Sequence, residues 1–239
     1  MSSSIKFMDK CGKEQYQELN MVENTKSLKT ILKEGYFLLE EKRSSFIARA
    51  KPVSSEQEAI DFIQQIKASH RDATHNCYAY SVDADALYQR YSDDGEPQGT
   101  AGLPILEVIK KKELQNVAVV VTRYFGGILL GAGGLVRAYG KACAGALENA
   151  GEIWIKPCLE IKIPIEYHLS GRLRNMLINE GFILGGIDYA QEVTFTVYLP
   201  KEQKPILEKH ILDITGGVLR LEVIGTKNVK IDKDGKVID

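Results

Sequence analysis

The chain has little with which to staple itself together. Its four cysteines, Cys11, Cys77, Cys143 and Cys158, are widely spaced in 239 residues and form no CxxC pair. That spacing excludes a disulfide framework and points to reduced thiols in a cytosol, each acting as a small buried hydrophobe. No apolar run reaches the ~18 residues of a membrane-spanning helix. The opening residues, MSSSIKFMDKCGKEQ, lack the apolar core of a signal peptide. There is no excess of charge either. With 31 Lys and Arg against 32 Asp and Glu, the net charge is −1. Whole-surface attraction to nucleic acid or membrane is therefore excluded, and only a local patch can draw an anion. Catalytic signatures are missing too: there is no H-E-x-x-H, no G-x-S-x-G and no G-x-x-x-x-G-K-[ST].

What is present is a composition that is 44% hydrophobic, enough for one large or two modest domains with a real core. Residues 1–28 are polar and weakly periodic. They read as a poorly ordered leader, with at most a short helix around Glu14–Glu23. Tyr36–Leu39 and Ser45–Pro52 fit a hairpin around a charged turn. Ser54 or Ser55 caps a helix that buries Ala59, Phe62, Ile63 and Ile66. His75–Val82 and Ala86–Tyr91 read as paired strands. Pro104 sits in the first turn of a helix that ends at Lys110–Lys112, as the helix dipole favours. Val117–Val121 is apolar on both faces, so it is a buried central strand. A glycine-rich loop then leads into a helix over Leu135–Asn149 whose Ala and Gly residues imply close packing. Gly151–Pro157 reads as a domain junction. Beyond it come strand 161–165, helix 169–180, strands 182–189 and 193–199, helix 201–214 and strand 218–224. That order is the ferredoxin-like βαββαβ pattern. Residues 227–239 read as a hairpin or tail.

Two stretches carry candidate chemistry. The first is the acidic turn Asp93, Asp94, Gly95 and Glu96. It reads as an ordinary Asp-Gly turn, as a metal or acid–base site, or as a charge partner of the basic block that follows. Residues 81–100 hold five acids and one Arg, whereas residues 101–145 hold six Lys or Arg and two Glu. The second is the glycine-rich loop, with Arg123 and Tyr124 before it and Arg137 and Lys141 after it. Glycine loops ahead of helices expose backbone N–H groups that bind anions. Arg137 and Lys141 fall on one helix face. The anion or nucleic-acid-binding set is therefore Arg123, Tyr124, Gly126, Gly127, Gly131, Gly133, Gly134, Arg137 and Lys141, with tight packing as the other reading. His70, His75 and Cys77 offer three metal donors with no fourth, so a structural histidine is the simpler reading. No catalytic residue, metal or cofactor is expected.

Several blocks resemble the signature of the YigZ/IMPACT family. They are YSDDGEPQGTAG at 91–102, TRYFGG at 122–127, LGAGGLVRAY at 130–139, HNCYAY at 75–80 and KRSSFI at 42–47. The last departs from the more usual K-S-R-F order. The resemblance covers residues 34–224. It implies an α+β protein with two domains, residues 29–155 and residues 156–226. The first would be an α/β sandwich similar to elongation factor G domain IV and to GHMP kinases. The second would be ferredoxin-like, similar to the last domain of elongation factor G. The family's eukaryotic members regulate translation under amino-acid stress by binding a protein partner. The implied function is a non-enzymatic cytoplasmic protein that binds RNA, the ribosome or a translation factor. The alternative is an enzyme acting on a phosphorylated small molecule or nucleotide, with the acidic turn as its metal or acid–base site. An internal latch of Asp94, Glu96 and Arg123 that orders the loop is a further reading. No motif sets the oligomeric state.

Overall fold

The structure is a computed structural model. It describes residues 27–82, 88–233 and 235–238, together with the backbone of 4–8 and 14–18. Strands β1 (Ser4–Met8) and β2 (Glu14–Glu18) pair antiparallel. The short helix expected over 14–23 is therefore absent from its described part. The alternation of Ile5 and Phe7 with Ser4 and Lys6 suits a strand.

The N-terminal unit is a five-stranded antiparallel sheet in the order β4-β5-β8-β6-β7. Its strands are β4 (Gly35–Glu41), β5 (Ser44–Pro52), β6 (His75–Val82), β7 (Tyr88–Ser92) and β8 (Val117–Tyr124). Only Lys42 and Arg43 lie between β4 and β5, and both have positive φ, as a two-residue hairpin turn requires. Helix α1 (Glu56–Ser69) starts at Ser55, whose hydroxyl accepts from the Glu58 N–H. It covers one face of the sheet. Helices α2 (Gly102–Lys111) and α3 (Ala132–Ala150) cover the other. The central strand β8 has seven buried residues out of eight, matching its apolar composition. Small residues let α3 lie close to the sheet: a Cβ on Gly145 would stand 2.5 Å from the Phe37 ring.

The second sheet runs β10-β11-β9-β12-β13, and β3 (Leu28–Ile31) also pairs with β9. Strand β9 (Glu152–Ile165) is continuous through the junction expected at Gly151–Pro157. One strand thus ties the two units together, because β3 pairs with it over Glu152–Ile155 and β12 (Glu222–Ile231) over Trp154–Lys162. Glu152 clamps the same region, 2.8 Å from Lys29 and 2.6 Å from Lys112. The remaining elements are α4 (Tyr167–Asn179), β10 (Ile183–Tyr189), β11 (Val193–Leu199), α5 (Lys204–Thr215), β12 (Glu222–Ile231) and β13 (Val237–Ile238). Their order is strand-helix-strand-strand-helix-strand, with Leu173, Leu177, Leu207 and Ile211 packed on Ile161, Ile163 and Phe195. The last full strand lies further along than the expected 218–224, because its register is set by pairing with the long β9.

Candidate functional site

The acidic turn sits between β7 and α2, where chain reversal demands unusual backbone. Asp94 has φ +47° and Gly95 has φ +90°. A non-glycine residue in the left-handed region needs compensation, and Asp94 has it. One carboxylate oxygen accepts from the Asn76 N–H at 2.7 Å, and the other meets Lys67 Nζ at 2.6 Å. The Asp94 carbonyl accepts from His75 Nδ1 at 2.8 Å. A carbonyl only accepts, so the Nδ1 of His75 carries the proton.

Asp93 turns the other way, toward the start of α2. That helix has no side-chain cap of its own. The Asp93 carboxylate supplies one from a distance. It accepts from the N–H groups of Gly102 at 2.8 Å, Ala101 at 3.1 Å and Gly99 at 2.9 Å. Unpaired amides and a positive helix end both favour an anion there.

Glu96 points inward and is 8% exposed. Its Oε1 accepts from Arg123 Nη1 at 2.5 Å and from the Tyr139 hydroxyl at 2.8 Å. The Arg123 guanidinium lies 5.5 Å from the ring centres of both Phe46 and Phe125. Tyr139 packs edge-on against Phe46 with ring centres 5.1 Å apart. Burial holds the Tyr139 hydroxyl protonated, and the Glu96 charge and hydrogen bond add to that effect. Burial likewise pushes the Cys77 thiol up to about 12. That thiol donates to the Asp93 carbonyl at 3.0 Å. A neutral thiol neither attacks nor ligates a metal.

The anion-binding set divides. Arg123, expected to face a ligand, is 5% exposed and its charge is matched by Glu96. The reason is its strand position: it pairs with Phe46 on β5 and His75 on β6 in the middle of the sheet. The Tyr124 hydroxyl is held between His70 Nδ1 at 3.0 Å and Asp72 Oδ1 at 3.1 Å. Gly126 is a packing glycine, since a Cβ there would collide with the Arg43 carbonyl oxygen. Gly127 and Gly131 have φ of +82° and +73° with open space around them. Gly133 and Gly134 belong to α3, which begins at Ala132, three residues before the expected start. Arg137 and Lys141 are exposed on α3, with Arg137 Nη1 3.6 Å from where a Gly133 Cβ would stand. The loop also exposes apolar side chains: Leu129 is 82% exposed, and Phe125 and Ile128 are exposed beside it.

Tyr139 closes one of the signature blocks but is not among the site residues expected from sequence, although it joins the acidic turn to α3. The signal was there: it is the one aromatic residue in the helix between Ala132 and Ala150.

These features describe a two-domain α+β protein in which an acidic turn is latched onto a sheet and a glycine loop is exposed. The chain belongs to the IMPACT family. The Impact N-terminal domain profile matches residues 42–147, and the profile called Domain of unknown function (DUF1949) matches residues 163–218. IMPACT family member YvyE of Bacillus subtilis is 43% identical over 175 residues, covering 73% of this chain and 81% of the relative. IMPACT family member YigZ of Escherichia coli is 35% identical over 186 residues, covering 77% and 91%. A crystal structure of a hypothetical protein is 32% identical, with a TM-score of 0.53, covering 83% of this chain and 97% of that one. Among the described residues no helix is long and apolar enough to cross a membrane.

Proposed function

We propose that the chain is a non-enzymatic regulator associated with translation, cytoplasmic, which binds RNA, the ribosome or a translation factor through its glycine-rich loop and the basic face of α3. One observation carries this reading. Leu129, Ile128 and Phe125 are exposed on the loop that leads to the exposed Arg137 and Lys141, while the acids that would serve catalysis are tied internally. Apolar side chains on a glycine loop are costly to leave in water unless a partner covers them. Lysine and arginine beside them fit a phosphate backbone or an acidic partner.

The translation assignment rests on family membership, since the signature blocks resemble those of eukaryotic members that regulate translation. Stress response belongs to the same reading. The finer fold reading fits it: residues 29–155 as an elongation factor G domain IV or GHMP-kinase type sandwich, residues 156–226 as a ferredoxin-like domain, and residues 227–239 as an added hairpin. The sheet order β10-β11-β9-β12, with both helices against it, supports the ferredoxin-like part. The enzymatic alternative draws less support, because Asp93 caps α2 and Glu96 neutralises Arg123.

The test is filter binding of the purified protein to ribosomes and tRNA across a salt series. Binding that weakens steeply with salt is the expected result. An absence of binding even at low salt removes the reading.

A further inference from the structure

We propose that the free edge of β12 pairs with the same edge of a second copy, forming a two-fold dimer with one continuous sheet. Strand β12 hydrogen-bonds to β9 on one side, over Glu222 to Ile231. On its other side β13 covers only Lys230 and Ile231. Among the described residues, 222–229 therefore have no strand on that side. Residues 222–228 are all exposed, although they lie on a strand paired with β9. Val223 and Ile224 on this strand, and Val218 and Leu219 in the segment before it, are 42–55% exposed. A row of unpaired backbone groups flanked by apolar side chains is a template for strand addition.

The charges and the register select a second copy as the occupant. The ladder between β12 and β9 shifts between Val223 and Gly225. Across β9, residues 158 and 162 lie on the face away from α4 and α5, because Cys158 packs with Tyr198 and Val229, whereas Ile161 and Ile163 pack with the helices. Glu222 pairs with Lys162, and Lys227 pairs with Cys158. The irregularity thus brings Glu222 and Lys227, five positions apart, onto the same outer face. Val223, opposite Ile161, and Thr226, opposite Leu159, share the helix face. Two antiparallel copies about a two-fold axis between residues 224 and 225 set Glu222 against the partner's Lys227 and Val223 against the partner's Thr226. Facing residues then lie on matching faces, and both charged pairs are of opposite sign. A shift of one residue sets outer-face side chains against helix-face ones and loses this match. A bulge and a lysine ordinarily blunt an edge. Here they admit one self-complementary partner, as an isologous interface requires.

The experiment is sedimentation velocity of the full chain over a wide concentration range. The wild type is expected to shift from monomer to dimer as concentration rises. Glu222→Lys and Lys227→Glu, each with melting curves matching the wild type, are expected to stay monomeric. The double variant Glu222→Lys/Lys227→Glu restores the facing charges and is expected to dimerise again. Hydrogen exchange gives a second reading on the unaltered protein, with amides 222–228 becoming more protected at high concentration. A wild type that stays monomeric at every concentration overturns the proposal, whether the edge is bare or covered by the chain's own leader. So do dimers indifferent to the single reversals, or a double variant that folds yet stays monomeric.

Discussion

The acidic turn and the glycine loop carry the densest chemistry in the chain, and the fold treats them in opposite ways. The turn faces inward. Asp93 holds the start of α2, Asp94 holds β6 and α1, and Glu96 holds Arg123 and Tyr139. The loop faces outward, with Leu129 among the most exposed apolar residues of the protein. Acid and base of similar apparent promise thus have different work. The turn fixes the geometry from which the loop and the basic face of α3 are presented. The contrast teaches that a dense charged motif is as often a clamp as a site. The deciding observation is whether its charges already have partners.

The comparison breaks most sharply at Glu96. Glu96→Ala leaves Arg123 buried without its counter-charge, which typically costs about 3–5 kcal/mol. In a protein of this length that lowers Tm by about 10 °C, as read by thermal unfolding. An unchanged Tm would make Glu96 a ligand-facing group rather than a clamp. Gly126→Val tests the loop's anchorage, because its side chain meets the Arg43 carbonyl. Overpacking of this kind costs about 1–3 kcal/mol, measurable by urea unfolding. Asp93→Ala frees three N–H groups at the start of α2 and is expected to cost about 1–2 kcal/mol, the upper range for a lost cap. Arg137→Ala and Lys141→Ala are exposed changes and should each stay within about 0.5 kcal/mol.

A smaller effect concerns pH at the junction of the two units. Burial alone would raise the pKa of Glu152, but the hydrogen bonds from Lys112 and Lys29 outweigh it and hold the carboxyl below its ordinary value of 4.5. A depressed carboxylate stabilises the fold above its unfolded pKa and loses that contribution as pH falls through the folded one. Glu152→Gln should therefore flatten the acid limb of the stability profile below about pH 4.5 and change nothing in the profile's slope at neutral pH.

Much of the fold was legible because local rules and tertiary packing agree. Ser55 caps α1, Pro104 lies in the first turn of α2, and the span His75–Val82 matches β6 residue for residue. Where they diverge, non-local pairing prevails. Strand β9 runs through Pro157, a residue that reads as a break, because β12 and β3 supply its partners. Helix α3 begins at Ala132 despite Gly133 and Gly134, since Leu135 and Tyr139 anchor it in the core. The site was half legible. The sign asymmetry between residues 81–100 and 101–145 pointed to pairing, and Glu96 and Arg123 supply it. The burial of Arg123 was not visible, because it depends on Phe46, 77 positions earlier, lying next to it across the sheet.

The most direct measurement is ribosome and tRNA binding by the Arg137→Ala/Lys141→Ala double variant, across the same salt series as the wild type and with Tm recorded on both. If the outward arm binds while the latch only positions it, Tm stays put and the log–log salt dependence loses about two units of slope, about one for each phosphate contact. Unaltered affinity and slope in a folded double variant would contradict the account.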